Sequence, residues 1–383
     1  MGVNVSGIFW MPDTFATPYP LLKTEAPPRS VLVVVTRRIG DVLLATPLIR
    51  SVRRAWPQTA IDILVFEGTQ DIITANPDIR HIRVVPERPA FVRHLAFVLR
   101  LARRYDVALS LVPGDRPTFY AFIAGRWRSG LLLDTRKERW KQRFLDRWVP
   151  FDDLNTHTVR MHLALADALG IVAGNEIVVA WRAEDRQQVE RLLVSDDPRP
   201  LAVLHTYPKF NYKMWHHGGW AEVAHWLAAH GHRVILSGGG DSAELNYVAT
   251  LARAMPPGAV NAAGRLTLGA SACLVSRARI YVGVDTVMTH VAAALGVPTI
   301  ALFGPSNPVK WGPWPQGHAA QTNPWRRCGS QRVGNVTLLQ GALPCVPCLR
   351  EGCGRNIASF SDCLQQLPAA RVVAAIEAVM GHE

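Results

Sequence analysis

Short apolar runs alternate with amphipathic helical stretches along this chain, and the alternation occurs twice. "VLVVV" (31–35) reads as a buried strand, followed by a helix from about Asp41 to Ala55. "AIDILVF" (60–66), "IRVV" (82–85) and "VALSLV" (107–112) continue the series, with a basic amphipathic helix over about Ala90–Arg104. A helix over about Thr158–Leu169 leads into "NEIVVAWRAED", an extended stretch that reads as a linker. The pattern then restarts with strands "LAVLH" (201–205), "RVILS" (233–237), "ARIYVGV" (278–284) and "PTIALFG" (298–304). Helices are expected over Gly219–His230, after the "GGGDSAE" turn, and over Thr286–Leu295, where Gly296 supplies the stop. Such spacing predicts βαβ units and parallel sheets. Two series and 383 residues are too much for one core, so the expected fold is α/β: two Rossmann-like lobes with parallel sheets facing across a cleft. The expected boundaries are a tail over 1–29, a first domain over 30–178, and a second over 179–383 with a terminal helix.

Ligands of such sheets bind at the carboxyl ends of the strands, so polar residues just past each strand are the site candidates. After the first strand, "TRRIGDVLLATPLIR" places a lone carboxylate, Asp41, behind Arg37 and Arg38 at the mouth of a helix. Gly40 allows a tight turn there; the plain alternative is that Asp41 caps the helix. In the second series, "HTYPKFNYKMW" puts Thr206, Lys209 and Lys213 past a strand end, where a lysine can pair with a phosphate. Asp241 and Glu244 follow a glycine turn, where a carboxylate can bond ribose hydroxyls. Asp285 and Thr286 suit the N-cap of the next helix, and His290 lies one turn in. A helix N-terminus is an anion site, although an ordinary capped helix with a half-buried histidine explains this stretch equally well.

The formal charge is +12, and Arg88–Arg147 alone holds 14 Lys and Arg against 5 Asp and Glu. That excess points to a solvated basic face or to an anionic partner such as lipid or a phosphorylated acceptor. No RNA-recognition or zinc-finger spacing accompanies it, which places nucleic acid low. No apolar run reaches a membrane span, and the first 29 residues lack a signal-peptide pattern. The expectation is a cytoplasmic protein, at most peripheral to a membrane, with a monomer as the default.

Taken in order, "RRIGDVLLATPLIRSVRRAWP", "KMW", "GGGDSAE", "AGRLTLGASACLVSRARIYVGVDTVMTHVAAALGVPTIALFGPSNP" and a late "CVPC…C…DCL" resemble the family 9 glycosyltransferases, the lipopolysaccharide heptosyltransferases. The resemblance runs from about Val31 to the end. It implies a GT-B fold, an ADP-heptose donor held mainly by the second lobe, and a lipopolysaccharide inner-core acceptor held by the first, at the inner face of the cytoplasmic membrane. It implies Asp41 as catalytic base and Lys213 as the diphosphate lysine, with Thr206 in the same loop. Asp285, Thr286 and His290 stand where the family has D-[ST]-G-x-x-H, and Glu244 or Asp241 stands as the ribose-side acid. The family's glycine is replaced here by Val287.

Inverting transfer needs a base across the cleft from the leaving group, which suits Asp41. No D-x-D triplet occurs, which argues against a metal-bridged diphosphate and leaves that work to Lys213 and a helix N-terminus. The basic stretch then offers Arg116, Arg126 and Arg128, beside Arg37 and Arg38, for acceptor contacts. Cys345, Cys348, Cys353 and Cys363 form C-x2-C-x4-C-x9-C, which fits no standard zinc or iron–sulfur spacing. Free thiols or an occasional disulfide are favoured over structural zinc. Three alternatives stay open: a GT-B transferase or epimerase using another nucleotide sugar, a non-catalytic homologue that binds lipopolysaccharide precursors, and a dehydrogenase. "GGGDSA" matches G-x-G-x-x-A, but no acid follows about 20 residues on, as dinucleotide ribose recognition requires.

Overall fold

The computed structural model describes residues 26–88, 90–194 and 197–381, so the expected tail lies outside it apart from residues 26–29. Strands β1 (Ser30–Val35), β2 (Ala60–Phe66), β3 (His81–Val85), β4 (Tyr105–Ser110), β5 (Gly125–Leu132) and β6 (Arg147–Pro150) form one sheet. Its order is β3-β2-β1-β4-β5-β6, all parallel. The second sheet contains β7 (Leu201–His205), β8 (Arg233–Ser237), β9 (Val260–Asn261), β10 (Ala278–Val284), β11 (Thr299–Phe303), β12 (Gln331–Val333) and β13 (Val336–Gln340). Its order is β12-β13-β11-β10-β7-β8-β9, with only β12 antiparallel.

Numbered within its own lobe, the first sheet runs 3-2-1-4-5-6 and the second 3-2-1-4-5-7-6, its sixth strand, β12, lying at the edge. This is the doubly wound order, in which the crevice opens where the winding reverses. The reversals fall between β1 and β4 and between β7 and β10. The residues that follow β1, β7 and β10 therefore line the two crevices. Among the described residues no helix is long and apolar enough to cross a membrane.

The single helix expected over Asp41–Ala55 is two helices, Ile39–Leu44 and Thr46–Ala55. Pro47 has no N–H to offer the Leu43 carbonyl, and the Thr46 hydroxyl donates to that carbonyl instead, at 2.7 Å. The helix after β10 runs Val287–Ala294 and closes as expected at Gly296, whose φ of +76° suits glycine. There Gly296 N–H donates to Ala293 O and Val297 N–H to Ala292 O, satisfying the final carbonyls.

The largest apolar core is shared between the lobes. It runs from Val31, Val33 and Val35 through Val159 and Leu165 to Val203, Tyr281 and Val291. The Ala183–Leu192 helix packs on the Leu268–Ser276 helix, so the chain has joined the second lobe by that point. A polar clasp adds to the shared core. Asn307 Nδ2 donates to Leu154 O at 2.7 Å, Thr158 Oγ1 to Lys310 O at 3.1 Å, and the His157 ring bonds Gly312 O at 2.7 Å.

Candidate active site

The Ile39–Leu44 helix leaves the carboxyl end of β1, and Asp41 is its third residue; Arg38 holds the N-cap position. Asp41 is therefore not the cap itself. Its carboxylate is buried, and the nearest cation is Arg37 Nε at 3.7 Å. Burial raises its pKa above the ordinary carboxylate value, against opposing pulls from Arg37, the Arg38 backbone and charge, and Lys310. A buried carboxylate without a close ion pair is poised to accept a proton.

Arg37 and Arg38 reach toward the second lobe. The Arg37 guanidinium lies 5.5 Å from the Trp311 ring centroid and that of Arg38 lies 4.5 Å from Phe210. Phe210 belongs to the loop that carries Lys213, and the Ile39–Leu44 helix packs against the Val287–Ala294 helix. The two sets of candidates thus converge on one cleft.

Across it, Lys213 ends a short 3-10 turn and its Nζ lies 2.6 Å from Asp285 Oδ2. Ser306 Oγ, from the turn after β11, donates to the same oxygen at 2.7 Å. Burial alone would raise the Asp285 pKa, but Lys213 and Ser306 outweigh it and hold the group below the usual carboxylate range. Asp285 is occupied as a brace for Lys213 and does not cap the helix. Thr286 takes the N-cap position and its side chain makes no cap bond either, so among the described residues no side-chain cap occupies this helix start. His290 is buried, its Nδ1 has no partner among the described residues, and burial lowers its pKa to about 4, so the ring is neutral at pH 7. Thr206 is also buried with an unpartnered hydroxyl. Unsatisfied buried polar atoms are uncommon in native proteins, and here two flank a helix N-terminus.

Asp241 is the N-cap of the Ser242–Ala252 helix, accepting from Ala243 N–H at 2.9 Å. Glu244 is half-buried against the glycine turn, where a Cβ on Gly239 would lie 2.9 Å from its Oε2. Burial raises its pKa, with the Gly239 backbone opposing.

The three remaining arginines make local contacts of their own. Arg116 spends its guanidinium on Pro86 O, Glu87 O and the Tyr120 hydroxyl, at 2.6–2.9 Å. Arg126 and Arg128 sit in the first half of β5, near Asp106 (3.9 Å) and Asp146 (2.9 Å) respectively. That is the amino end of the sheet, opposite the crevice, so neither lies beside Asp41. A charge count locates a basic segment but says nothing of which strand end each residue occupies.

Two features escaped the sequence reading. Lys310 is fully buried, 3.9 Å from the Phe151 ring centroid, and its Nζ donates to Asp152 O at 2.7 Å. Burial lowers its pKa to about 8, with Asp153, Asp152 and Asp41 opposing and Arg37 reinforcing. Its charge thus reaches Asp41 from the opposite lobe. The cysteine-bearing segment, in turn, braces the lysine loop. Asn211 Nδ2 donates to Ala358 O at 2.9 Å, Ser361 Oγ to Tyr212 O at 2.7 Å, and Gln365 Nε2 to Met214 O at 2.8 Å. All six cysteines are unpaired, and Cys363 is pushed up to about 12 by burial and by Cys348, Cys353 and Cys345. Among the described residues no three His, Cys, Asp or Glu side chains converge as metal ligands would.

A family model, glycosyltransferase family 9 (heptosyltransferase), matches residues 95–335. Lipopolysaccharide heptosyltransferase 1 of Pseudomonas aeruginosa is 29% identical over 335 residues, covering 84% of this chain and 87% of that protein. Among solved structures, a family 9 glycosyltransferase of Veillonella parvula superposes with a TM-score of 0.74 at 20% identity, over 93% of this chain and 98% of that one. The heptosyltransferase WaaC of Escherichia coli, solved with ADP, gives 0.67 at 22% identity, over 91% and 99%. The shared fold is the GT-B arrangement.

Proposed function

The chain belongs to glycosyltransferase family 9, and from that membership we propose that it transfers heptose from ADP-heptose to the inner core of a lipopolysaccharide precursor, with inversion and without a metal. The observation that carries this reading is the pairing across one cleft: a buried base candidate, Asp41, and a cation, Lys213, fixed by Asp285 beside an uncapped helix start. The relatives named as lipopolysaccharide heptosyltransferases and the structural neighbour solved with ADP support the choice of donor and acceptor class.

In this reading residues 30–178 form the acceptor domain and 179–383 the donor domain. Asp41 takes the proton from the acceptor hydroxyl as its oxygen attacks the anomeric carbon from the face opposite the diphosphate. The bond from that carbon to the diphosphate oxygen breaks, and ADP leaves with the electron pair. Lys213 and the backbone N–H groups at the start of the Val287–Ala294 helix meet the charge that develops there. Asp285 holds the lysine in place. Thr206, Thr286 and neutral His290 bond the phosphates, while Glu244, with Asp241 beside it, serves the ribose. Arg37 and Arg38 meet acceptor phosphates at the cleft edge. The protein works as a monomer at the inner face of the cytoplasmic membrane.

The test is transfer from ADP-heptose to a heptose-deficient lipopolysaccharide acceptor, followed by ADP release and product mass. Asp41→Asn should cut kcat by about 10²–10⁴-fold while calorimetry shows unchanged ADP affinity. Equal turnover by that variant would remove Asp41 from its role. Transfer only from a UDP- or GDP-linked sugar would remove the ADP-heptose assignment.

A further inference from the structure

The Phe91–Leu101 helix is apolar on two faces, and among the described residues only one of them is packed into the fold. Val98 and Leu101 are buried, with Phe97 beside them, in a small core with Leu32, Val34, Tyr105 and Tyr120. Phe91, Val92, Leu95 and Leu99 are 80%, 76%, 47% and 66% exposed. At spacings of one, four and eight residues they form a single stripe along the helix. Phe119, on the neighbouring Asp115–Ala124 helix, adds a ring that is 48% exposed.

Arg93 and Arg100 project from the same helix, both exposed, and make no ion pair or hydrogen bond through their side chains among the described residues. An exposed apolar stripe bordered by unpaired arginines is the composition of a helix that lies in a lipid–water interface. The helix follows β3, so its first turn stands at the carboxyl end of the sheet, the end from which Asp41 projects. Arg116 fixes this arrangement by tying the carbonyls of Pro86 and Glu87, just before the helix, to Tyr120 behind it.

We propose that the outer face of the Phe91–Leu101 helix docks the protein on an anionic lipid bilayer, with Phe91, Val92, Leu95 and Leu99 entering the headgroup boundary and Arg93 and Arg100 paired with lipid phosphates. The surface itself rests on this geometry; its purpose, presenting a lipid-linked acceptor to Asp41, rests on the function proposed above. Charge complementarity selects a bilayer over a second copy of the chain. A two-fold interface would set this patch against itself and oppose like charges, in a segment holding 14 Lys and Arg against 5 Asp and Glu. An anionic leaflet supplies the missing counter-charge.

The experiment is flotation of the full-length protein with vesicles of mixed phosphatidylcholine and phosphatidylglycerol, against phosphatidylcholine alone, with no donor or acceptor present. The native chain should float with the anionic vesicles, less so as salt rises. The exposed-face variant Phe91→Ser/Leu95→Ser/Leu99→Ser should lower the bound fraction about tenfold or more, and Arg93→Gln/Arg100→Gln about tenfold, with unchanged circular dichroism and melting. Transfer to an acceptor stripped of its acyl chains should be unaffected by either variant. Vesicle binding equal to native in both variants would overturn the proposal. So would a variant that changes the sedimentation mass without changing flotation, because the stripe would then cover a second copy. Flotation without any glycosyl transfer would sink the function while leaving the surface; transfer without flotation would do the reverse.

Discussion

Asp41 and Asp285 each follow the carboxyl end of a strand that borders the crevice of its lobe, β1 and β10 respectively, and both are buried. Burial pushes both carboxyls upward, yet the net shifts are opposite: Asp41 is raised and Asp285 lowered. The difference lies in the contacts. Asp285 Oδ2 has Lys213 Nζ at 2.6 Å and the Ser306 hydroxyl at 2.7 Å, whereas Asp41 has a guanidinium only at 3.7 Å. The same residue type near a strand end is thus held below the usual carboxylate range in one lobe and raised above its ordinary value in the other. Close, directional bonds decide which, because burial penalises both alike.

The largest effect that can break this comparison is on stability. Asp285→Asn leaves Lys213 without its counter-ion in a mostly buried site, and removing one partner of a buried pair costs about 3–5 kcal/mol. Its carboxylate stabilises the fold above its unfolded pKa, a contribution lost as pH falls through the depressed folded value. Asp41→Asn should act in the opposite direction. With a raised pKa, the folded state holds the Asp41 proton more tightly than the unfolded chain, so the ionised form at neutral pH is a cost that asparagine removes. Thermal melts at pH 7 should show a fall for Asp285→Asn and a rise, or no change, for Asp41→Asn. Two falls of equal size would mean that both carboxylates are structural.

Next in size is the pH dependence of turnover. A raised Asp41 pKa places the acid limb of kcat above the ordinary carboxylate range, with a loss of about tenfold per pH unit below it. ADP affinity should not follow the same profile, since Asp285 is held below the usual carboxylate range and burial lowers His290 to about 4. Lys310 sharpens the test. Its positive charge lowers the Asp41 pKa from the second lobe, so Lys310→Met should move the acid limb of kcat to higher pH. Coincident pH profiles for kcat and ADP binding would put one group in control of both.

Much of this architecture was legible in the sequence, and for a physical reason. β1, β2, β7, β8 and β10 are central or near-central strands covered on both faces, so they appear as largely apolar runs, interrupted in β2 by the buried Asp62. β5, "GRWRSGLL", begins with arginines at the sheet's amino end and did not read as a strand. Asp41 and Lys213 stood out because each follows a strong strand signal. What Asp285 does with its carboxylate was not visible, since its partner lies 72 residues earlier in sequence and meets it only through the order of β7 and β10. Lys310 was hidden for a similar reason: a single lysine within "PSNPVKW" carries no sign that Phe151 and Asp152 of the other lobe will enclose it.

The smallest predicted effect concerns Val287, where the family resemblance places a glycine. The valine is the first residue of the helix, just after Thr286 at the N-cap position, and its side chain is half-buried, packed against the core shared by the lobes. That packing predicts an anion seat that stays open without the glycine. Val287→Gly removes apolar contacts and adds backbone freedom, a loss of roughly 1–2 kcal/mol in stability. ADP affinity by calorimetry should change by no more than about threefold. A gain of tenfold or more would show that the valine does obstruct the phosphates, and the second lobe would then be a poorer donor site than its lysine–aspartate pair implies.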